Sequence, residues 1–206
     1  MARATGGPSG TSTMKRAILL FGYPGSGKGT QGQILSALPG FDNVAMGDIL
    51  RGLTAAHALY EAIQRHVRQG NLVPDELVMD LFARHIEPLG KGPNDLLVVD
   101  GIPRNRRQVD LLRGLVDVIK IFKLSVYDEQ IVIDRIRQRA RAQNRPDDGS
   151  DQVIKHRMEV YRNETESCIT AFPGSILTRI QANQPVFDVH LDIISALGKM
   201  RNITFR

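Results

Sequence analysis

The stretch Gly22-Tyr23-Pro24-Gly25-Ser26-Gly27-Lys28-Gly29-Thr30 (GYPGSGKGT) stands directly after the apolar run 17–21 and before the helix-like run 30–38. Its spacing is that of a phosphate-binding loop, G-x-x-x-x-G-K, except that Gly29 holds the place usually taken by Ser or Thr and Thr30 comes one later. Backbone N–H groups turned inward around an anion leave no room for side chains, which is why the loop is glycine-rich. The helix that follows points its positive end at the same anion, and the Lys28 ammonium adds a mobile charge against terminal phosphates. A strand, such a loop and a helix in that order predict an α/β fold.

The rest of the chain extends that pattern. Short apolar runs predict strands at 17–21, 44–46, 96–99, 118–126 and 185–189. Helical periodicity lies at 30–38, 75–86, 108–116, 129–141 and 152–172. Strand and helix alternating in this way imply a mostly parallel five-stranded sheet flanked by helices on both faces. Residues 48–73 are polar and helical with no strand between, and 138–151 is a Gly/Asp/Arg-rich interruption. Both read as insertions above the carboxyl edge of the sheet, where ligands of open α/β folds bind.

Composition narrows the class. At 206 residues the chain suits one core domain, and residues 1–15, rich in Gly, Ser and Thr, predict a disordered tail, with a transit peptide as the alternative. A net charge of +5 suits nucleic acid or small polyanions, but aromatics are only 5% and show no basic interleaving, which counts against nucleic acid. No apolar run reaches the length of about 20 residues that spans a bilayer. The single Cys168 rules out an intrachain disulfide and points to a reducing, cytoplasmic setting. The five histidines are scattered without metal-ligand spacing.

A second phosphate-directed element is Asp100-Gly101-Ile102-Pro103-Arg104 (DGIPR), at the end of the apolar run 96–99. Asp100 there matches the strand-end acid that supports magnesium in phosphate-loop enzymes, and Arg104 can fork onto a phosphate. With this element the chain resembles the nucleoside monophosphate kinase family, the adenylate kinases most closely. The resemblance is carried by GYPGSGKGTQ, MGDILR (46–51), GNLVPDELV (70–78), DGIPRNRRQ (100–108), DRIRQR (134–139), RPDD (145–148) and KHRMEVY (155–161).

The resemblance implies a nucleoside monophosphate kinase domain over 16–206 with a phosphate-loop core, a monophosphate-binding insertion at about 45–74 and a short lid at about 138–151. It implies that Gly25, Ser26, Gly27, Lys28, Gly29 and Thr30 hold ATP phosphates, that Arg135 and Arg139 cover ATP, and that the backbone near Gln184 meets the ATP adenine. The acceptor site implied is Met46, Arg51, Asn71, Leu72, Val73, Gly101, Ile102, Pro103, Arg104 and Gln108, with Arg145 and Arg157 reaching in from the lid. Lys28, Arg104, Arg135, Arg139, Arg145 and Arg157 would form the catalytic set, and Asp100 would act on nucleotide-bound Mg2+ through water. The short, cysteine-free lid implies no structural zinc. The activity implied is reversible ATP + AMP to two ADP, in a cytoplasmic monomer that binds neither membrane nor nucleic acid.

Three residues depart from the adenylate kinase pattern: Met46 replaces a threonine, Ile102 a phenylalanine, and Asn105 follows Arg104 as in UMP/CMP kinases. Met46 fits either apolar contact with a purine face or packing beneath the loop. Gln108 favours AMP, because an amide both gives and accepts a hydrogen bond. A UMP/CMP kinase remains the alternative enzyme. A nucleotide-binding switch without turnover would need the loop but not the paired arginines.

Overall fold

The computed structural model describes residues 14–92, 94–143, 148 and 150–200. Five strands, β1 (Lys15–Phe21), β2 (Phe41–Ala45), β3 (Leu96–Asp100), β4 (Val116–Ser125) and β5 (Leu177–Gln181), form one parallel sheet in the order β2-β3-β1-β4-β5. The helices between them are α1 (Lys28–Ser36), α2 (Met46–Arg51), α3 (Tyr60–Gln69), α4 (Asp75–Ile86), α5 (Arg106–Leu112), α6 (Glu129–Gln143) and α7 (Asp151–Val160), and α8 (Val186–Gly198) follows β5.

Successive strand residues point to opposite faces, so the unbroken apolar runs of β1 and β3 serve two cores at once. Ala17, Leu19, Phe21, Leu97 and Val99 pack with α4 (Phe82, Ile86) and α5 (Val109, Leu112) on one face. Ile18, Leu20, Leu96 and Val98 pack with α1 (Leu35) and α8 (Val189, Ile193, Leu197) on the other. A separate small core of Val132, Ile136, Ile154 and Met158 joins α6 to α7. With about 1.5–3 kcal/mol from each large apolar side chain buried, the central strands are by far the best anchored part of the described chain.

The structure corrects the predicted elements at several points. Residues 185–189 are not a strand: Pro185 precedes α8, whose Val189, Ile193 and Leu197 recur at four-residue spacing on the buried face. The fifth strand is Leu177–Gln181, a partly exposed edge strand paired only with β4, and its polar LTRIQ sequence carries no apolar run. Met46 opens α2 rather than closing a strand. Val116 opens β4, since α5 stops at Leu112. The single helix expected over 152–172 is α7 followed by a π turn, Tyr161–Thr165, and a 3-10 turn, Glu166–Ala171. Lys15, expected in the tail, is the first residue of β1, and its ammonium donates to the carbonyls of Glu87 (3.0 Å) and Leu89. Among the described residues no helix is long and apolar enough to cross a membrane.

Candidate active site

β1 and β3 are neighbours in register, Leu20 beside Asp100, so the glycine loop and the DGIPR run leave the sheet side by side at its carboxyl edge. Gly27, in the left-handed region at φ 99°, turns the loop into α1, a conformation that a side chain would strain. The DGIPR run leaves through a cis Ile102–Pro103 peptide. The edge of the sheet opens into a cleft of about 530 Å³. Its wall carries Gly25 to Thr30, Asp100, Gly101, Ile102, Pro103, Gln184 and the cations Lys28, Arg51, Arg104, Arg135, Arg139 and Arg157. Arg145, the remaining arginine expected at the site, lies outside the described residues.

Beside it is a smaller pocket of about 50 Å³ lined by Met46, Asn71, Leu72, Val73, Gly101 and Gln108, with Arg51, Arg104 and Arg157 shared between the two spaces. α2 and α3, the predicted insertion, supply much of this pocket through Met46, Leu50, Arg51 and Val67. Met46 is buried, and it both lines the pocket and belongs to the sheet's core cluster, so packing and pocket contact coexist in one side chain.

Lys28 is half-buried at the cleft floor and donates to the carbonyls of Gly22 (2.8 Å) and Tyr23 (2.9 Å). Desolvation pushes its ammonium down to about 8; Asp100 opposes the shift, and Arg104, Arg139 and Arg157 add to it. Asp100 also stands beside the loop, with Oδ2 3.8 Å from where a Cβ on Gly29 would be. The Ser26 hydroxyl is buried with no hydrogen-bond partner among the described residues.

The arginines are held by partners that the sequence reading did not single out. Asp148, a buried carboxylate, accepts from Arg139 Nε (2.8 Å) and Nη2 (3.0 Å) and from Arg157 Nη1. Arg135 donates to the Ala182 carbonyl (3.0 Å), beside the segment that holds Gln184. Arg104 Nε donates to the Gly101 carbonyl (2.8 Å), and Arg51 pairs with Asp48 at 2.6 Å. Gln184 lines the cleft, and its side-chain Nε2 donates to Asp192 (2.7 Å). By contrast Arg137 pairs with Asp134 and Asp151 on the exposed side of α6.

Asn105 is the N-cap of α5: its Oδ1 accepts from the Gln108 backbone N–H (2.9 Å). Its presence after Arg104 is therefore explained by capping, without reference to a pyrimidine base. No group of three or more His, Cys, Asp or Glu side chains able to hold a metal ion occurs among the described residues. The arrangement as a whole is a concave polyanion site, with an anion nest at one end, an apolar pocket with one amide at the other, and cations between.

The comparisons with known proteins agree with one another. A family model described as adenylate kinase matches residues 20–175. The chain is 34% identical over 191 residues to the adenylate kinase of Prochlorococcus marinus (strain MIT 9211), covering 90% of this chain and 98% of that one. It is 34% identical over 191 residues to the adenylate kinase of Thermobifida fusca (strain YX), covering 87% and 97%. It is 35% identical over 191 residues to that of Rhodococcus erythropolis (strain PR4 / NBRC 100887), covering 88% and 99%.

Proposed function

The chain belongs to the adenylate kinase family, and on that premise we propose that it reversibly transfers a phosphoryl group from MgATP to AMP, giving two ADP. What carries the reading is the convergence of Lys28, Arg51, Arg104, Arg135, Arg139 and Arg157 on one cleft that runs from the glycine loop to the smaller pocket. Two polyanions repel each other, and only a surface of opposite charge between them lets them meet end to end.

In this reading ATP phosphates rest on the backbone of Gly25 to Thr30, where the unpartnered Ser26 hydroxyl supplies one more group suited to an anion. Lys28 leaves the carbonyls of Gly22 and Tyr23 for the phosphates. AMP lies in the smaller pocket, its base against Met46, Val73 and Gln108 and its phosphate between Arg51, Arg104 and Arg157; Arg145 belongs to the same set. An α-phosphate oxygen of AMP attacks the γ-phosphorus of ATP as the bond from that phosphorus to the β,γ-bridging oxygen breaks, so both products are ADP. The attacking oxygen is already anionic, and no general base is needed.

Magnesium arrives with the nucleotide and neutralises charge on the transferring phosphates. Gly29 has no hydroxyl to ligate the ion, and the Asp100 carboxylate, beside Gly29, would hold the ion's waters instead. Residues of about 45–74 and 138–151 would close over the substrates and exclude water, which protects ATP from hydrolysis. The chain would act as a cytoplasmic monomer, which light scattering on the purified protein checks. Incubation with ADP and magnesium alone tests the activity: ATP and AMP should form together, while UDP or CDP should give little. Absence of ATP from ADP would overturn the proposal.

A further inference from the structure

Gln108 is buried at the wall of the smaller pocket, and its amide orientation is fixed by chemistry at both ends. Its Oε1 accepts from the Arg104 backbone N–H (2.8 Å), and its Nε2 donates to Asp75 Oδ1 (2.8 Å). Neither contact survives a turn of the amide by 180°, since an N–H would then face an N–H and a carbonyl oxygen a carboxylate. The same Asp75 oxygen accepts from Asn105 Nδ2 (2.8 Å), and Asn105 Oδ1 caps the Gln108 backbone N–H, so carboxylate and amide are held together from both sides. Asp75 is the first residue of α4 and ties the segment after the predicted insertion to the start of α5.

This contact set uses one Nε2 proton and one Oε1 lone pair, which leaves one donor and one acceptor in a fixed order. That order matters to a base. On its Watson–Crick edge adenine shows an amino donor beside the N1 acceptor; hypoxanthine has nearly the same shape but shows an oxo acceptor beside an N1–H donor. An amide set for one is reversed for the other.

We propose that Asp75 is a positioning residue for base selection: by holding the Gln108 amide in one orientation, it makes the acceptor site choose AMP over its oxo counterpart IMP. This rests on the reading that Gln108 meets the acceptor base. With Asp75 removed, only the Arg104 N–H opposes the turned amide, and the site accepts IMP at a smaller penalty.

The test is kcat and KM for AMP and IMP at saturating MgATP in wild type, Asp75→Ala, Asp75→Asn and Gln108→Leu. For Asp75→Ala the ratio of kcat/KM, AMP over IMP, should fall on the order of tenfold, the usual discrimination of one paired amide, mostly through KM. Asp75→Asn, which keeps an acceptor oxygen, should restore most of the ratio. Asp75→Ser, too short to reach the amide, substitutes if the alanine variant does not fold. An unchanged ratio in Asp75→Ala, or a parallel loss with both nucleotides, overturns the role of Asp75. If Gln108→Leu itself leaves the ratio unchanged, the base-contact reading fails, and the inference with it; if Gln108→Leu lowers the ratio and Asp75→Ala does not, only the inference fails.

Discussion

Arg139 and Asp148 are joined at two points, Nε to Oδ2 at 2.8 Å and Nη2 to Oδ1 at 3.0 Å, with the acid fully buried and also bonded to Arg157. One carboxylate thus holds two of the cleft's cations from behind. Removing it takes the shared carboxylate away from both guanidinium groups, a loss of about 3 kcal/mol where such a pair is buried. Asp148→Ala should therefore lower the unfolding free energy measured by urea titration by that amount. Asp151→Ala breaks the pair with Arg137, in which both side chains are exposed and screened by water, and should cost far less. Equal losses in the two variants would show that Asp148 has no special place.

Gly70 ends α3 in the left-handed region at φ 73°, and a Cβ there would stand 2.6 Å from Arg157 Cγ. The missing side chain lets Arg157 cross the end of α3 on its way to the cleft, next to the hydrogen bond between His156 Nε2 and Asn71 Oδ1 (2.7 Å). Gly70→Ala adds backbone strain of about 1 kcal/mol and also displaces Arg157. The expected result is a modest drop in melting temperature with a much larger drop in kcat/KM for AMP. A variant whose activity falls only as far as its stability would remove the link to Arg157.

The difference between legible and hidden features follows the range of the interactions. The β1–loop–α1 unit was readable because an anion nest is local: Gly27 and Lys28 are neighbours, and the glycines state their own reason. The arginines of α6 and α7 were readable through motifs. β5 was not, because LTRIQ is an edge strand with polar, exposed Arg179 and Gln181 and no apolar run, and a short stretch such as 185–189, apolar but for Asp188, serves a strand or a helix start equally well. Asp75 and Asp148 were also hidden. Asp75 meets Gln108 across 33 residues of chain, and Asp148 meets one arginine on α6 and another on α7, so an acid's partner depends on the fold rather than on spacing.

Cys168 is buried, and burial pushes its thiol up to about 11. At pH 8 only about one thiol in a thousand is ionised, and reagent cannot reach it. Ellman's reagent should release almost no thiolate from the folded protein and one equivalent in urea. Rapid reaction in the native state would contradict the packing of the turn Glu166–Ala171 against α5 and the sheet.

Lys28 gives the sharpest pH signature, because desolvation has already pushed its ammonium down to about 8 before any nucleotide binds. A bound polyphosphate favours the charged form, so the group's affinity for its proton rises in the complex. Near pH 7 the free protein is already protonated at Lys28, and binding takes up little. At pH 9 the free lysine is mostly neutral and ATP must bring in close to one proton, so affinity falls above pH 8 by up to about tenfold per pH unit. Calorimetry of ATP binding in two buffers of different ionisation enthalpy, at pH 7 and pH 9, counts that proton directly. Lys28→Ala should abolish the uptake and reduce turnover on the order of 10³-fold, the scale of a cation that stabilises a transferring phosphoryl group. Equal proton counts at the two pH values, or near-normal turnover in the variant, would take Lys28 out of the phosphate site.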